Sequence, residues 1–108
     1  MKVLVPGHRY ELDNLKSDTK TTLQYHQDGF IHGETIDGPS CQEVIRTLID
    51  RVKKLDNEKP WELNYKIIEH ARAMIALFEM RALQLKVEKG WAIENMPCEE
   101  DGHIWLIR

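Results

Sequence analysis

Histidines and cysteines are the side chains of this sequence that most readily ligate a metal ion or supply a nucleophile. The 108 residues include 5 histidines and 2 cysteines. His26 and His32 lie near two acidic residues, a combination that could hold a metal, although isolated loop histidines are the commoner explanation. Cys41 and Cys98 form no Cys-x-x-Cys pair, and no Gly-rich phosphate loop or Gly-x-Ser-x-Gly elbow is present. We therefore expect two free thiols, no catalytic residue, no metal site and no cofactor.

Two polar residues of the second half, Asn64 and Arg81, could instead bind a ligand. Asn64 is expected in the first turn of a helix, where an asparagine can cap the helix, contact a ligand or be solvated. Arg81 lies among apolar residues, so its aliphatic part would cover apolar surface and its guanidinium would face a carboxylate or a phosphate. For either residue taken alone, a structural role is more common than a functional one.

The composition excludes several classes of function. The 15 Lys and Arg residues are outnumbered by 18 Asp and Glu residues, for a formal net charge of −3. Binding to nucleic-acid polymers is not expected, because phosphate contacts need a basic surface. No stretch approaches the roughly 18 apolar residues of a membrane span, and residues 1–10 lack the apolar region of a signal peptide. We expect a single cytoplasmic domain over residues 1–108.

The first region, residues 1–39, predicts a small antiparallel sheet. Alternating polar and apolar residues at 9–12 and 21–25 are typical of half-buried strands. A turn is expected at Asp28-Gly29, followed by a third strand at 30–36, in which Gly33 is unfavourable.

The second region, residues 40–90, predicts two antiparallel helices. Ser40 and Glu43 form a capping box before a helix over Cys41–Leu55, whose apolar residues recur at helical spacing. After a short connector, a second helix is expected from Trp61 to Lys89, with Gly90 as its stop. The fold class is therefore α+β, and the remaining residues, 91–108, are expected to form a strand or a docking tail.

Helix lengths predict an oligomer. At about 1.5 Å per residue the two helices would be about 22 Å and about 43 Å long. The longer one would leave apolar residues uncovered from Leu77 to Val87, and such a surface needs a cover. The sheet, the tail or a second copy of the chain could supply it. We predict a homodimer or a larger closed oligomer, with a compact monomer as the alternative.

The order of these motifs resembles a known family. Arg9-Tyr10-Glu11-Leu12, Leu23-Gln24-Tyr25, Asp37-Gly38 and the run from Glu43 to Arg51 are followed by a Pro-containing connector and by Asn64 at the start of a long helix with Arg81. This pattern, from His8 to Gly90, resembles the phage family of Thoeris anti-defence sponges, which shares its helical hairpin with type II anti-CBASS proteins. The resemblance implies a small sheet, a helical hairpin, and dimers that can build into hexamers.

The resemblance also implies a function without catalysis. Such proteins bind a bacterial immune second messenger, a cyclic ADP-ribose isomer or a cyclic oligonucleotide, and leave it uncleaved. By correspondence with the family, the ligand-binding positions are Asn64, Arg81, Leu55 and Leu85. Several relatives have a stacking phenylalanine at the position of Leu55, and the family has a second arginine at the position of Leu85. The acidic residue that precedes the family's asparagine is Leu63 here, and the family's Arg-Gly-Val-Glu-Gly ending is absent.

The spacing of Asn64 and Arg81 restricts how they can share a ligand. Seventeen positions correspond to about 25 Å along one helix, which exceeds the size of a cyclic dinucleotide. If both residues bind one ligand, Asn64 must come from one protomer and Arg81 from its antiparallel mate.

Two hypotheses follow for function. The first is a phage protein that sequesters a nucleotide messenger in the cytoplasm of the infected host. The second is a non-enzymatic interaction module that docks onto a host protein through Trp91 and residues 104–107. A hydrolase of the messenger would need a base or a metal cluster, for which the sequence has no candidate.

Overall fold

The computed structural model of the chain describes residues 1–31 and 34–88. Seven elements follow in the order β1 (Lys2–Val5), β2 (Arg9–Asp13), β3 (Lys20–Gln24), β4 (Gln27–Ile31), β5 (Glu34–Ile36), α1 (Cys41–Glu58) and α2 (Asn64–Glu88). They form two compact units, Met1–Ser40 with the strands and a second that begins at Cys41. The predicted fold class, an N-terminal antiparallel sheet followed by two helices, is confirmed. The expected tail, 91–108, lies outside the described residues, as do Lys89 and Gly90.

Three strands of the first unit form a meander in the order β1-β2-β3. The predicted strands at 9–12 and 21–25 correspond to β2 and β3, which pair antiparallel with Tyr10 opposite Leu23. β1 was not predicted, although its valines favour a strand and a turn signal, Pro6-Gly7, follows it. Gly7 has a φ of 79° in this turn, a backbone conformation that glycine adopts without steric cost.

The last two strands of this unit pair with each other rather than with the meander. The expected single strand over 30–36 is replaced by β5 and the end of β4, on either side of two residues that are not described. The turn expected at Asp28-Gly29 is wrong, because both residues lie inside β4. The pairing of β4 with β5 is irregular between Gln27 and Ile31, and strand glycines often occur at such bulges.

Gly38 closes the first unit against the end of β3. A Cβ atom at this position would overlap the backbone carbonyl oxygen of Gln24 and would come within 3.3 Å of the backbone nitrogen of His26. Two hydrogen bonds hold the segments together: the Gln24 side chain donates to the carbonyl oxygen of Asp37 at 2.6 Å, and the His26 amide donates to that of Pro39 at 3.2 Å. Gly38 is thus required by close backbone approach.

The second unit is a helical hairpin. α1 begins at Cys41, as expected after Ser40, but continues three residues past Leu55 to Glu58. α2 begins at Asn64, three residues after the predicted Trp61. Near one end of the pair Gln42 contacts Glu79, and at the other Asp56 contacts Asn64, so the helices run antiparallel.

The hairpin core contains apolar residues of both helices and one carboxylate. Its buried apolar cluster consists of Ile45, Ile49, Ala71 and Ile75, with Ile68 and Phe78 packed against it. Glu79 is also buried, with 4% of its surface exposed. Because Gln42 lies opposite Glu79, the residues after Glu79 extend beyond the start of α1. At about 1.5 Å per residue α1 is about 27 Å long and α2 is about 38 Å long. The difference between the two helices is therefore smaller than that between the predicted lengths of about 22 Å and about 43 Å.

Candidate functional site

Asn64, the first predicted ligand-binding residue, is half-buried at the start of α2 and holds the hairpin connection. Its side-chain amide donates to Oδ1 of Asp56 at 2.9 Å, and its backbone amide donates to the carbonyl oxygen of Trp61 at 3.0 Å. The same Asp56 oxygen accepts the backbone N–H of Trp61 at 3.1 Å. Asn64 therefore has a structural partner, while its side-chain oxygen takes no part in that bond.

Asp56 is an anion at neutral pH. The hydrogen bond from the Asn64 side chain, followed by that from the Trp61 backbone, holds the pKa of the Asp56 carboxyl below its usual value. Both donors favour the charged form, because a carboxylate accepts hydrogen bonds more strongly than a carboxylic acid. The connection between the helices thus carries a fixed negative charge that the sequence analysis did not single out.

Arg81 lies in the second half of α2 and lines a small apolar pocket. The pocket has a volume of about 260 Å³ and is lined by Met74, Leu77, Phe78 and Arg81. Leu85 follows one helical turn later and is 43% exposed. The Arg81 side chain thus lies against apolar and aromatic surface. An aliphatic stem that ends in a guanidinium suits a ligand with a flat apolar part and an anionic part.

Leu55 and Asn64 lie at one end of the hairpin, and Arg81 and Leu85 lie towards the other. Leu55 is 43% exposed and directly precedes Asp56, the partner of Asn64. Arg81 is 17 residues after Asn64 in the same helix, about 25 Å away along its axis. A single hairpin therefore does not bring the four predicted binding residues together.

A second cleft, missed by the sequence analysis, lies at the connection between the helices, which we call the hairpin tip. It has a volume of about 390 Å³ and is lined by Asp56, Pro60, Trp61, Glu62 and Tyr65. Trp61 and Tyr65 are 54% and 58% exposed. The signal that would have indicated this cleft is the occurrence of two aromatic residues shortly after Pro60, where the predicted connector ends.

A polar cluster between the helices was also missed. The Glu79 carboxylate accepts a hydrogen bond from the Gln42 side chain at 3.3 Å and lies 3.7 Å from Nη2 of Arg46. Arg46 also donates to Glu43 at 3.3 Å. The helical spacing of the apolar residues in α1 predicts Arg46 on the opposite side of the helix, whereas its guanidinium turns toward the buried carboxylate of α2.

Within residues 1–31 and 34–88, no group of three or more His, Cys, Asp or Glu side chains is arranged to hold a metal ion. Cys41 is a half-buried free thiol, and Cys98 lies outside the described residues. Neither α1 nor α2 is both long and apolar enough to cross a membrane.

Comparison with known proteins gives no relative of this chain. No family model matches it, and no curated protein or solved structure is detectably similar. The resemblance to the Thoeris anti-defence sponges therefore stays a prediction that rests on the motifs quoted above.

Proposed function

We propose that the protein binds and sequesters a bacterial signalling nucleotide, a cyclic ADP-ribose isomer or a cyclic oligonucleotide, without cleaving it. The observation that carries this proposal is that Arg81 and Phe78 line the same apolar pocket. A guanidinium forms charge-assisted hydrogen bonds with phosphate oxygens. The aromatic and aliphatic wall offers a surface for a nucleobase. The proposed setting is phage infection, with the protein in the cytoplasm of the host.

The complete site in this proposal needs two copies of the chain. One hairpin separates Asn64 from Arg81 by about 25 Å, so an antiparallel mate would supply the second residue. Several apolar side chains of α2 are exposed and support association of this kind, among them Met74, Leu77, Met80 and Leu85. The proposed assembly is a homodimer, which could build into a hexamer, with no nucleic-acid polymer, membrane or cofactor as partner.

The test is calorimetric titration of the full chain with cyclic ADP-ribose isomers and cyclic dinucleotides. We expect tight binding of at least one of them, and recovery of the intact ligand when the complex is heated. Arg81→Ala should abolish binding or weaken it by about tenfold or more, the loss of a charge-assisted contact. Arg51→Ala, which removes an exposed arginine from α1, is the matched control and should bind normally.

Three outcomes contradict the proposal. Equal affinity of the wild type and of Arg81→Ala would remove Arg81 from the site. Release of a cleaved product would replace sequestration by catalysis. If no member of the panel binds, the proposal fails as a whole.

A protein–protein interaction module is the second candidate function. The exposed apolar residues of α2 favour it, because such surfaces are typical of docking sites as well as of homodimer interfaces. The tail residues that the sequence analysis assigned to this role, Trp91 and 104–107, lie outside the described residues. An interaction module would show no change in melting temperature with any nucleotide, whereas a tight sequestering protein would be stabilised by its ligand.

A further inference from the structure

The hairpin tip exposes two aromatic rings beside two carboxylates. Trp61 precedes α2 by three residues and Tyr65 is the second residue of the helix, so both rings stand at the same helix start. More than half of the surface of Trp61 and of Tyr65 is exposed, and both residues line the cleft together with Asp56 and Glu62. Large aromatic side chains gain most when a partner covers them, and their faces carry partial negative charge.

The charged residues that line this cleft favour a cationic ligand over an anionic one. Its five lining residues include two carboxylates and no lysine or arginine. A phosphate would face both carboxylates at short range, and the partial positive charge of about half a unit at the helix start is too small to offset them. A cation would be attracted by the carboxylates and by the faces of the rings.

The ammonium group of Lys66 in the same chain already lies over the ring of Tyr65. Nζ of Lys66 lies 5.6 Å from the centroid of the Tyr65 ring, within the distance of a cation–π contact. Glu62 has no partner within residues 1–31 and 34–88, so its carboxylate is available to a cation from outside.

The cleft is held in shape before any ligand arrives. Asp56 accepts hydrogen bonds from Trp61 and from Asn64, and Pro60 fixes the backbone directly before Trp61. The amide of Lys59 donates to the carbonyl oxygen of Leu55 at 2.9 Å. Binding would therefore order only side chains, which limits its entropic cost.

The geometry points to a docking site for an arginine or lysine side chain of another protein at the hairpin tip, with Trp61 and Tyr65 as stacking surfaces and Glu62 as the ionic partner. An arginine side chain suits both features, since its planar guanidinium stacks on aromatic rings and binds carboxylates in bidentate geometry. Within one chain the cleft is distinct from the pocket at Arg81, and the proposal for the cleft does not depend on the proposed nucleotide binding.

The test is an NMR titration of the ¹⁵N-labelled full chain with three acetylated and amidated tripeptides, Gly-Arg-Gly, Gly-Lys-Gly and Gly-Glu-Gly. The indole N–H signal of Trp61, assigned with Trp61→Phe, reports on the cleft. We expect saturable shifts with the arginine and lysine peptides, strongest for arginine, and none with the glutamate peptide. High salt should weaken the binding, because the contact is partly ionic and exposed.

Variants locate the site. Glu62→Gln and Tyr65→Ala should each weaken arginine-peptide binding by about two- to fivefold, the range of one exposed ion pair or cation–π contact. Lys66→Met should strengthen it, because the competing ammonium is removed. Glu69→Gln, an exposed carboxylate of α2 outside the cleft, is the matched control and should bind normally. Circular dichroism checks that each variant is folded.

Four results would overturn the proposal. The first is equal binding of the glutamate peptide, and the second is an equal effect of Glu62→Gln and Glu69→Gln. The third is tighter binding of tetramethylammonium than of either basic peptide, which would indicate a small organic cation as the ligand. The fourth is a shift of the Trp61 signal with protein concentration alone, which would assign the cleft to a second copy of the chain.

Discussion

Asp56 connects the two helices through a single carboxylate oxygen. It accepts one hydrogen bond from the backbone of Trp61 and one from the side chain of Asn64. The N–H groups around a helix start lack partners within the helix, and a carboxylate is a favourable acceptor there. A residue that the sequence places in a polar connector thus determines where α2 begins and keeps Asn64 in place.

Gly38 is the residue where the structure predicts the sharpest effect of adding one methyl group. In Gly38→Ala the new Cβ would overlap the carbonyl oxygen of Gln24. This backbone is held by the pairing of β3 with β2, so it cannot move freely. We expect the free energy of unfolding to fall by about 1–3 kcal/mol, the usual cost of overpacking. Urea unfolding and amide hydrogen exchange of the strands measure it.

Asparagine substitutions at Gly7 and Gly38 distinguish the effect of a positive φ from the effect of missing space for a side chain. Gly7 has a positive φ, and a Cβ atom added there would meet nothing within 4 Å; asparagine tolerates that conformation. Gly7→Asn should therefore be close to neutral, whereas Gly38→Asn should be as destabilising as Gly38→Ala. Equal stabilities of Gly38→Ala and the wild type would disprove the steric argument.

At the scale of elements, Glu79 ties α2 to α1 inside an otherwise apolar interface. Its carboxylate lies within 3.7 Å of Arg46 and accepts a hydrogen bond from Gln42. A buried charge is costly without partners, so helix alignments that separate Glu79 from them are disfavoured. The cluster therefore favours one alignment of the two helices, which an apolar stripe alone specifies less strongly.

Removing this carboxylate should destabilise the hairpin. In Glu79→Ala, Gln42 and Arg46 lose their contacts with this carboxylate, while Arg46 keeps its contact with Glu43. We expect the free energy of unfolding to fall by about 1–3 kcal/mol. Glu69→Ala, which truncates an exposed glutamate of the same helix, should change stability by less than about 0.5 kcal/mol. A double-mutant cycle with Arg46→Met should give a coupling of at least about 0.5 kcal/mol between the two side chains. Additive effects would show that the pair contributes nothing.

Local signals were enough to predict α1, whereas tertiary contacts set the features that the sequence analysis missed. Ser40, Glu43 and the apolar spacing indicate the start of α1 without knowledge of the rest of the chain. The start of α2 depends on Asp56, a side chain of the preceding helix, and was placed three residues too early. The contact between Arg46 and Glu79 was not predicted, because the two residues are 33 positions apart in sequence.

The candidate site, like the fold, could be predicted from the sequence only in part. The position of Arg81 beside apolar residues follows from helical spacing, and the pocket with Leu77 and Phe78 agrees with it. The cleft at the hairpin tip was missed, because Trp61 was expected inside α2 rather than before it. Asp56 and Tyr65 face the same cleft only because the connector folds back, which no periodicity indicates.

At the scale of the whole molecule, the exposed apolar side chains of α2 predict self-association. Leu77 is 64% exposed and Met80 is 57% exposed, in the part of the hairpin where α2 begins to extend past α1. Burial of apolar surface stabilises by about 25 cal/mol per Å², so a second copy that covers this face would be favoured. The expected result is a dimer or larger species in sedimentation experiments at micromolar concentrations of the chain.

A charge in the middle of this face should prevent association without unfolding the hairpin. In Leu77→Asp the new carboxylate would be solvated in the monomer, because the native side chain is already mostly exposed, but it would be buried in a dimer at a cost of several kcal/mol. The variant should therefore sediment as a monomer with unchanged helicity.

Leu15→Asp, which changes a fully exposed leucine of the first unit, is the matched control and should associate like the wild type. Arg81→Ala should also associate, because a guanidinium contributes to ligand binding rather than to apolar burial. A wild type that sediments as a monomer over the whole concentration range would leave α2 uncovered by a second copy, and the two-protomer nucleotide site would fail with it.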